Sequence, residues 1–362
     1  MGRSIRDILA LEPEDEEIQA TGWIRTKRDS KGICFLEVSD GSCLKNLQVV
    51  IDLAKTEVDV ARLTTGTSVS ISGKLVPSPG KNQKTELLAQ TVTIVGDCPS
   101  DDYPLQKKRH SFEFLREIAH LRPRTNTFGA VARVRSEMCY AIHSYFHERG
   151  FFYIHTPIIT TSDCEGAGEM FQVTTLPLEN PPLVNGTVDY SEDFFGKKAG
   201  LTVSGQLEAE IYATALRNVY TFGPTFRAEN SNTTRHLAEF WMLEPEMAFC
   251  DINGNMDLAE DFLKFIIRHI LEHCSEDMDF FNSWIQPGII ETLKGVMDST
   301  FARITYTEAI DALEKSGAQF EYPVFWGCDL QSEHEKFLTE KIYNKPVIVT
   351  GYPKEIKAFY MK

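Results

Sequence analysis

No Cys-x-x-Cys pair occurs anywhere in the 362 residues, and the eight cysteines are scattered at positions 34, 43, 98, 139, 164, 250, 274 and 328. That excludes a structural zinc site built on paired thiolates and points to a reduced, cytoplasmic setting. No apolar run approaches the length of a membrane-spanning helix, so no membrane partner is expected. The first residues, MGRSIRDILALEPEDEE, lack the apolar centre of a secretory signal and are too acidic for a transit peptide. Positive charge is also in deficit. Lys and Arg number 37 against 52 Asp and Glu, a net charge of −15, which argues against non-specific nucleic-acid binding by the whole surface. Two local basic clusters remain: Arg25, Lys27, Arg28 and Lys31, then Lys107, Lys108, Arg109 and His110. Taken alone, each reads as a solvated loop.

What is present is an ordinary globular composition, 42% hydrophobic and 25% charged, in a chain long enough for two or three domains. Between residues 18 and 98, IQATGWIRTKR, ICFLEVSDGS, NLQVVIDL, TSVSISGKLV and ELLAQTVTIVG are strand-like runs separated by turn signals at Asp29–Gly32 and Asp40-Gly41. Five short strands in this span predict a small closed barrel of the oligonucleotide-binding type (OB-fold). Such barrels hold single strands by stacking and polar edge contacts. Phe35 is the candidate stacking ring, and Gln48 and Glu86 are candidate base readers; the alternative is a core ring and two solvated side chains. Pro99, Pro104 and Pro123 mark residues 101–125 as a hinge between a domain at 1–100 and one at 126–362. Val131, Val134, Met138 and Ile142 fall at helical spacing from Asn126 to the terminator Gly150. FFYIHTPIIT follows, a strand that Pro157 demotes to an edge or bend.

The most informative stretch is Thr221 to Phe249. Val219–Phe226 and Phe240–Phe249 are apolar, strand-like runs joined by an Asn/Ser/Thr loop, which predicts a hairpin. It places Arg227 and Glu229 on one face at the end of the first strand, and Arg235, His236 and Phe240 at the start of the second. A guanidinium offers paired donors to phosphate, a ring can stack on a purine, and Arg235 and His236 suit distal phosphates. The same residues also fit a surface hairpin with a solvated Arg–Glu pair and one core phenylalanine.

The order Phe226-Arg227-Ala228-Glu229, loop, His236 to Phe240 resembles motif 2 of the class II aminoacyl-tRNA synthetases, whose pattern is F-R-x-E, loop, R/H-x-x-x-F. The resemblance implies Arg227 on the α-phosphate of ATP and Glu229 near the adenine or the tRNA 3′ end. It implies His236 near the pyrophosphate and Phe240 stacked on adenine. The barrel resembles the anticodon-binding domain of the class IIb members for aspartate, asparagine and lysine. That implies Phe35 on the anticodon uridine, with Gln48 and Glu86 at its edges. The helix, Gly150 and the Pro157 strand resemble motif 1, which implies a homodimer interface. In CEGAGEMF, Glu165 matches the acidic residue of the loop that closes over the amino acid, suited to its α-ammonium group.

Ser204-Gly205-Gln206-Leu207 resembles the family's amino-acid-side signature, with Gln206 on the substrate or adenylate. Aspartate members carry a lysine three residues after that glutamine; here the position is Ala209, and Glu244 falls where the lysine's partner would be. A carboxylate there repels aspartate and accepts from an amide NH2. EFWMLEPE and YPKEIKAFYMK are the wording of the asparagine branch. The resemblance therefore implies an α+β catalytic domain with an antiparallel sheet and flanking helices behind the barrel. It implies ATP with Mg2+, and asparagine and tRNA(Asn) as substrates. An aspartate or relaxed specificity, and a non-catalytic tRNA-binding role, stay open. Two departures stand out. The sequence ends at Lys362, before the family's acidic metal-binding segment and motif 3, so weak or absent activity of this chain is expected and no metal ligand is assigned. Gly351 also stands where the branch usually has an acidic residue.

Overall fold

The computed structural model describes residues 2–13, 17–80, 83–106, 108, 110–164, 170–230 and 236–357. They form two units, Met1–Met138 with Ile270–Ile290, and Cys139–His269 with Glu291–Lys362. Among the described residues no helix is long and apolar enough to cross a membrane. All eight cysteines are free thiols.

In the first unit β1 (Glu17–Ser30), β2 (Ile33–Ser39), β3 (Leu47–Asp52), β4 (Ser68–Pro77) and β5 (Thr85–Gly96) close into a barrel in the order β1-β2-β3-β5-β4. The long β1 serves two neighbours. Its first half pairs with β4 (Glu17↔Lys74 to Trp23↔Ser68) and its second with β2 (Trp23↔Ser39 to Ser30↔Ile33), and a bulge between Ile24 and Thr26 bends it. Closure comes from a short parallel contact between β3 and β5. Alternation does the rest: Cys34, Leu36 and Val38 of β2 and Leu47, Val49 and Ile51 of β3 point inward, while Phe35, Glu37, Gln48 and Val50 face out. Helix α1 (Ile5–Ala10), capped reciprocally by Ser4 and Asp7, adds Ile5 and Ile8 to the same core. The hinge carries its own small core of Tyr103, Leu105 and Leu115, the last on α2 (Phe112–Glu117). Helix α3 is Asn126–Glu148.

In the second unit the central hairpin is β12 (Asn218–Phe226) against β13 (Glu239–Met247), with β6 (Phe152–Tyr153) parallel to β12 at the other edge. A second sheet orders β7 (Ile159–Thr160), β11 (Ala199–Leu201) and β8 (Gln172–Val173), with a small hairpin β9 (Leu183–Val184) and β10 (Thr187–Val188) beside it in the chain. Helix α4 (Gln206–Leu216) turns Ala209 and Ala213 inward onto Ile154 and Val219. Helix α5 is Ile252–His273. Near the C-terminus β14 (Ala302–Thr305) runs parallel to β15 (Val347–Thr350) over a core of Tyr306, Ile310, Leu313 and Leu338.

Two local expectations fail there. Ser332–Glu335 looks like a helix-opening box, but the helix Ser332–Phe337 is capped one residue earlier, by Gln331 and His334. His334 reads as a solvated residue and is fully buried. Its Nδ1 accepts from the Gln331 N–H at 3.1 Å, its Nε2 lies 3.0 Å from the Tyr322 carbonyl, and Phe320 packs edge-on. Ile356–Met361 reads as a strand; its first residue, Ile356, ends a short 3-10 turn that begins at Lys354, and residues 358–361 lie outside the described residues.

Candidate active site

The register of the hairpin decides which side chains meet. Thr225 pairs with Phe240, Thr221 with Glu244 and Val219 with Glu246, so Phe240, Met242, Glu244 and Glu246 share one face of β13. Arg227 follows the end of β12; its N–H still bonds to the Ala238 carbonyl at 3.1 Å, extending the ladder by one step. The guanidinium comes back over this face. It lies 5.5 Å from the Phe240 ring centroid, 3.9 Å from the Met242 sulfur and 3.4 Å from the Val203 carbonyl. A cation and a ring are thus held side by side on rigid strand ends. Glu229 and His236 are exposed at the two ends of the loop. Arg235, and Glu165 of the amino-acid loop, lie outside the described residues.

One strand turn further along, Glu244 is not the unpaired carboxylate expected. Ser204 Oγ donates to its Oε1 at 2.7 Å and the Gly205 N–H to its Oε2 at 2.8 Å. Ser204 is buried, and its hydroxyl also accepts from the Gln206 N–H at 3.1 Å, so it acts on Glu244 and α4, not directly on a ligand. Each Glu244 oxygen keeps a further acceptor site. Gly205 is required by close approach. A Cβ there would meet Thr156 Oγ1 at 2.5 Å and Glu244 Oε2 at 3.2 Å. Gln206 opens α4 and donates its side-chain N–H to Glu210 Oε1 at 2.9 Å, which assigns its other amide atom, the carbonyl oxygen, as the acceptor.

The sequence reading missed Glu210 and Glu246. Glu246 is half-buried, and burial, with Glu210 and Glu244 alongside, pushes its carboxyl up to about 7. The signal was available: Glu246 lies two residues from Glu244 on a strand, so the two share a face.

In the barrel, Phe35 and Gln48 stand on the outer face of β2 and β3, and Glu86 is buried near the start of β5 beside Gln48. Arg28, opposite Phe35 in the β1–β2 register, sits 4.9 Å over its ring. Gln48 Nε2 donates to Glu86 Oε2 at 3.0 Å, and Ser78 Oγ to the same oxygen at 3.0 Å. Pro157 is exposed between β6 and β7, flanked by exposed Phe152, Tyr153 and Ile159. A larger cleft, about 1310 Å3, lies in the first unit, lined in part by Trp23, Arg25, Tyr103, Arg124 and Trp284; it contains none of the predicted site residues.

The family of class II tRNA synthetases for aspartate, lysine and asparagine matches residues 111–362, and an OB-fold nucleic-acid-binding domain matches 18–95. The chain belongs to the class II tRNA synthetases. Among its relatives is an asparagine–tRNA ligase from Treponema denticola, 59% identical over 99% of this chain and 79% of that protein. Another, from a Nostoc species, is 60% identical over 100% of this chain and 79% of that protein. Among solved structures, asparaginyl-tRNA synthetase from Pyrococcus horikoshii complexed with asparaginyl-adenylate superposes with a TM-score of 0.83 at 27% identity. It covers 100% of this chain and 77% of that one. The Entamoeba histolytica enzyme gives 0.78 at 25%, over 100% and 77%. As a class II synthetase the chain has a mixed α+β architecture, an OB barrel followed by the synthetase sheet and helices.

Proposed function

We propose that this chain is an asparagine–tRNA ligase that activates asparagine with ATP and transfers it to tRNA(Asn). The observation that carries the reading is the single face of β13, which runs from Phe240 beside Arg227 to the hydrogen-bonded Glu244. In the first step a carboxylate oxygen of asparagine attacks the α-phosphorus of ATP, the bond to pyrophosphate breaks, and asparaginyl-adenylate forms. In the second, the terminal ribose hydroxyl of the tRNA attacks the carbonyl carbon and AMP leaves. Adenine stacks on Phe240, and Arg227 donates to the α-phosphate as its charge builds, a positional and electrostatic contribution. Glu229, Arg235 and His236 serve the rest of the nucleotide, and Glu165 the α-ammonium group. Mg2+ enters bound to ATP; among the described residues no set of three ligating groups converges beside Arg227 to hold a resident ion. Gln206 and Glu244 offer acceptor oxygens to the amide NH2. Phe35, Gln48 and Glu86 read the anticodon, and the apolar rim around Pro157 is the homodimer contact. Eight free thiols suit a reducing, cytoplasmic compartment.

Asparagine-dependent exchange of pyrophosphate into ATP tests the reading. Asparagine supports exchange, and aspartate at least about a hundredfold less, because placing its carboxylate against Glu244 costs roughly 3–5 kcal/mol. Glu244→Gln narrows that ratio. Equal exchange with aspartate would sink the assignment.

Glu246 adds a pH signature. Its carboxyl titrates near 4.5 when unfolded and at about 7 here, so the folded chain holds the extra proton between those values. Stability therefore falls as pH rises through that window, by on the order of 1–2 kcal/mol after solvent screening. Glu246→Gln removes this slope; urea midpoints at pH 5 and 8 measure it, and an unchanged slope would rule the effect out.

A further inference from the structure

The segment Asp193–Lys198, DFFGKK, carries two aromatic rings that the catalytic unit does not bury. Phe194 is 76% exposed and Phe195 44%, yet the rings meet edge to face at 4.9 Å. The backbone beneath them is held firmly. Asp193 is buried, and its Oδ1 accepts from the Thr175 N–H at 2.9 Å, the Thr175 hydroxyl at 2.8 Å and the Phe194 N–H at 2.8 Å. These bonds, led by one from the Thr174 hydroxyl, hold its carboxyl at about 2, so the anchor stays charged at any working pH. Gly196 closes the turn at φ +66°, with its N–H on the Asp193 carbonyl at 2.9 Å.

Lys197 and Lys198 are exposed immediately beyond the rings. Of the neighbouring acids, Asp189 is turned onto Ser191 and Asp193 onto Thr175. The tip leads straight into β11 and on to Val203, whose carbonyl lies 3.4 Å from the Arg227 guanidinium. Five residue steps run from Lys198 to Val203, so those two Cα atoms are at most about 18 Å apart.

We propose that Phe194, Phe195, Lys197 and Lys198 form a landing platform for the single-stranded 3′ end of the tRNA. Exposed rings stack on unpaired bases, and lysines follow the backbone; this is the composition that single-strand binding needs. A homodimer contact would also cover the rings, but it would not call for paired lysines at their edge. The proposal rests on the tRNA ligase reading above.

The test is equilibrium binding of the full chain to tRNA(Asn), intact and trimmed of its single-stranded 3′ nucleotides. Phe194→Ala with Phe195→Ala should raise Kd for intact tRNA about tenfold or more and leave Kd for trimmed tRNA unchanged. Phe194→Leu, which keeps the apolar bulk but not the flat ring, should show a similar but smaller loss. Lys197→Ala with Lys198→Ala should flatten the salt dependence of intact-tRNA binding by about 1.4 in log–log slope. Equal losses with both tRNAs, or none, overturn the platform, as does a change in oligomeric mass with tRNA affinity intact. If the unaltered chain shows no preference for tRNA(Asn), the ligase reading itself has failed.

Discussion

Replacing Arg227 by alanine lowers asparagine-dependent pyrophosphate exchange by about 10²–10³-fold, the size typical of a preorganised donor to developing charge. The loss appears in the rate, with little change in the KM for asparagine, because the guanidinium stands by the Phe240 end of the β13 face and Glu244 lies further along it. Lysine at 227 restores only part of the rate. Its ammonium is a point charge on a flexible stem and cannot present a fork of donors to a phosphate. The fold survives either change, since the Arg227 backbone bond to Ala238 does not depend on the side chain. A drop of less than tenfold for Arg227→Ala would remove the residue from the chemistry.

Asp277→Ala destabilises the first unit by about 3–5 kcal/mol, the cost of stranding a buried partner charge. Arg133 Nη2 and Nε reach the Asp277 carboxylate at 2.6 and 3.0 Å, and the two side chains are only 16% and 6% exposed. Arg133 Nη1 also donates to the Gly41 carbonyl at 2.9 Å, so the same guanidinium secures the β2–β3 turn. Replacing both partners together by apolar residues of similar volume should cost much less than either single change, because no charge is left uncompensated. Urea unfolding of the single and double variants, compared as a cycle, measures this; additive losses would show that the pair is not coupled.

Much of the architecture was legible because its signals are local. Period-two alternation with turn residues between runs marked the five barrel strands, and the polar loop between two apolar runs marked the β12–β13 hairpin. The order of Arg227 and Phe240 about that loop pointed to a nucleotide. Partners across strands were not legible. Glu244 reads as a bare carboxylate in the sequence, and only the approach of the Ser204–Gly205 turn supplies its two donors. His334 reads as a solvated helix residue, because nothing in its neighbourhood announces that Phe320 and Tyr322 will fold over it. Ala209 marks a missing lysine in the sequence; in the fold it is a fully buried contact with Ile154 and Val219. A lysine put there would have to place its long stem in a close-packed site, at a cost of about 1–3 kcal/mol from overpacking alone.

By itself the sequence determined the kinds of element, their order along the chain, and the residue types at the hairpin, because propensity, alternation and turn chemistry act over a few residues. The tertiary structure decided which donors Glu244 receives and that Glu246 keeps a proton close to neutrality. Those properties depend on distances between strands and helices far apart in the chain and on the water excluded between them. No stretch of sequence carries that information alone.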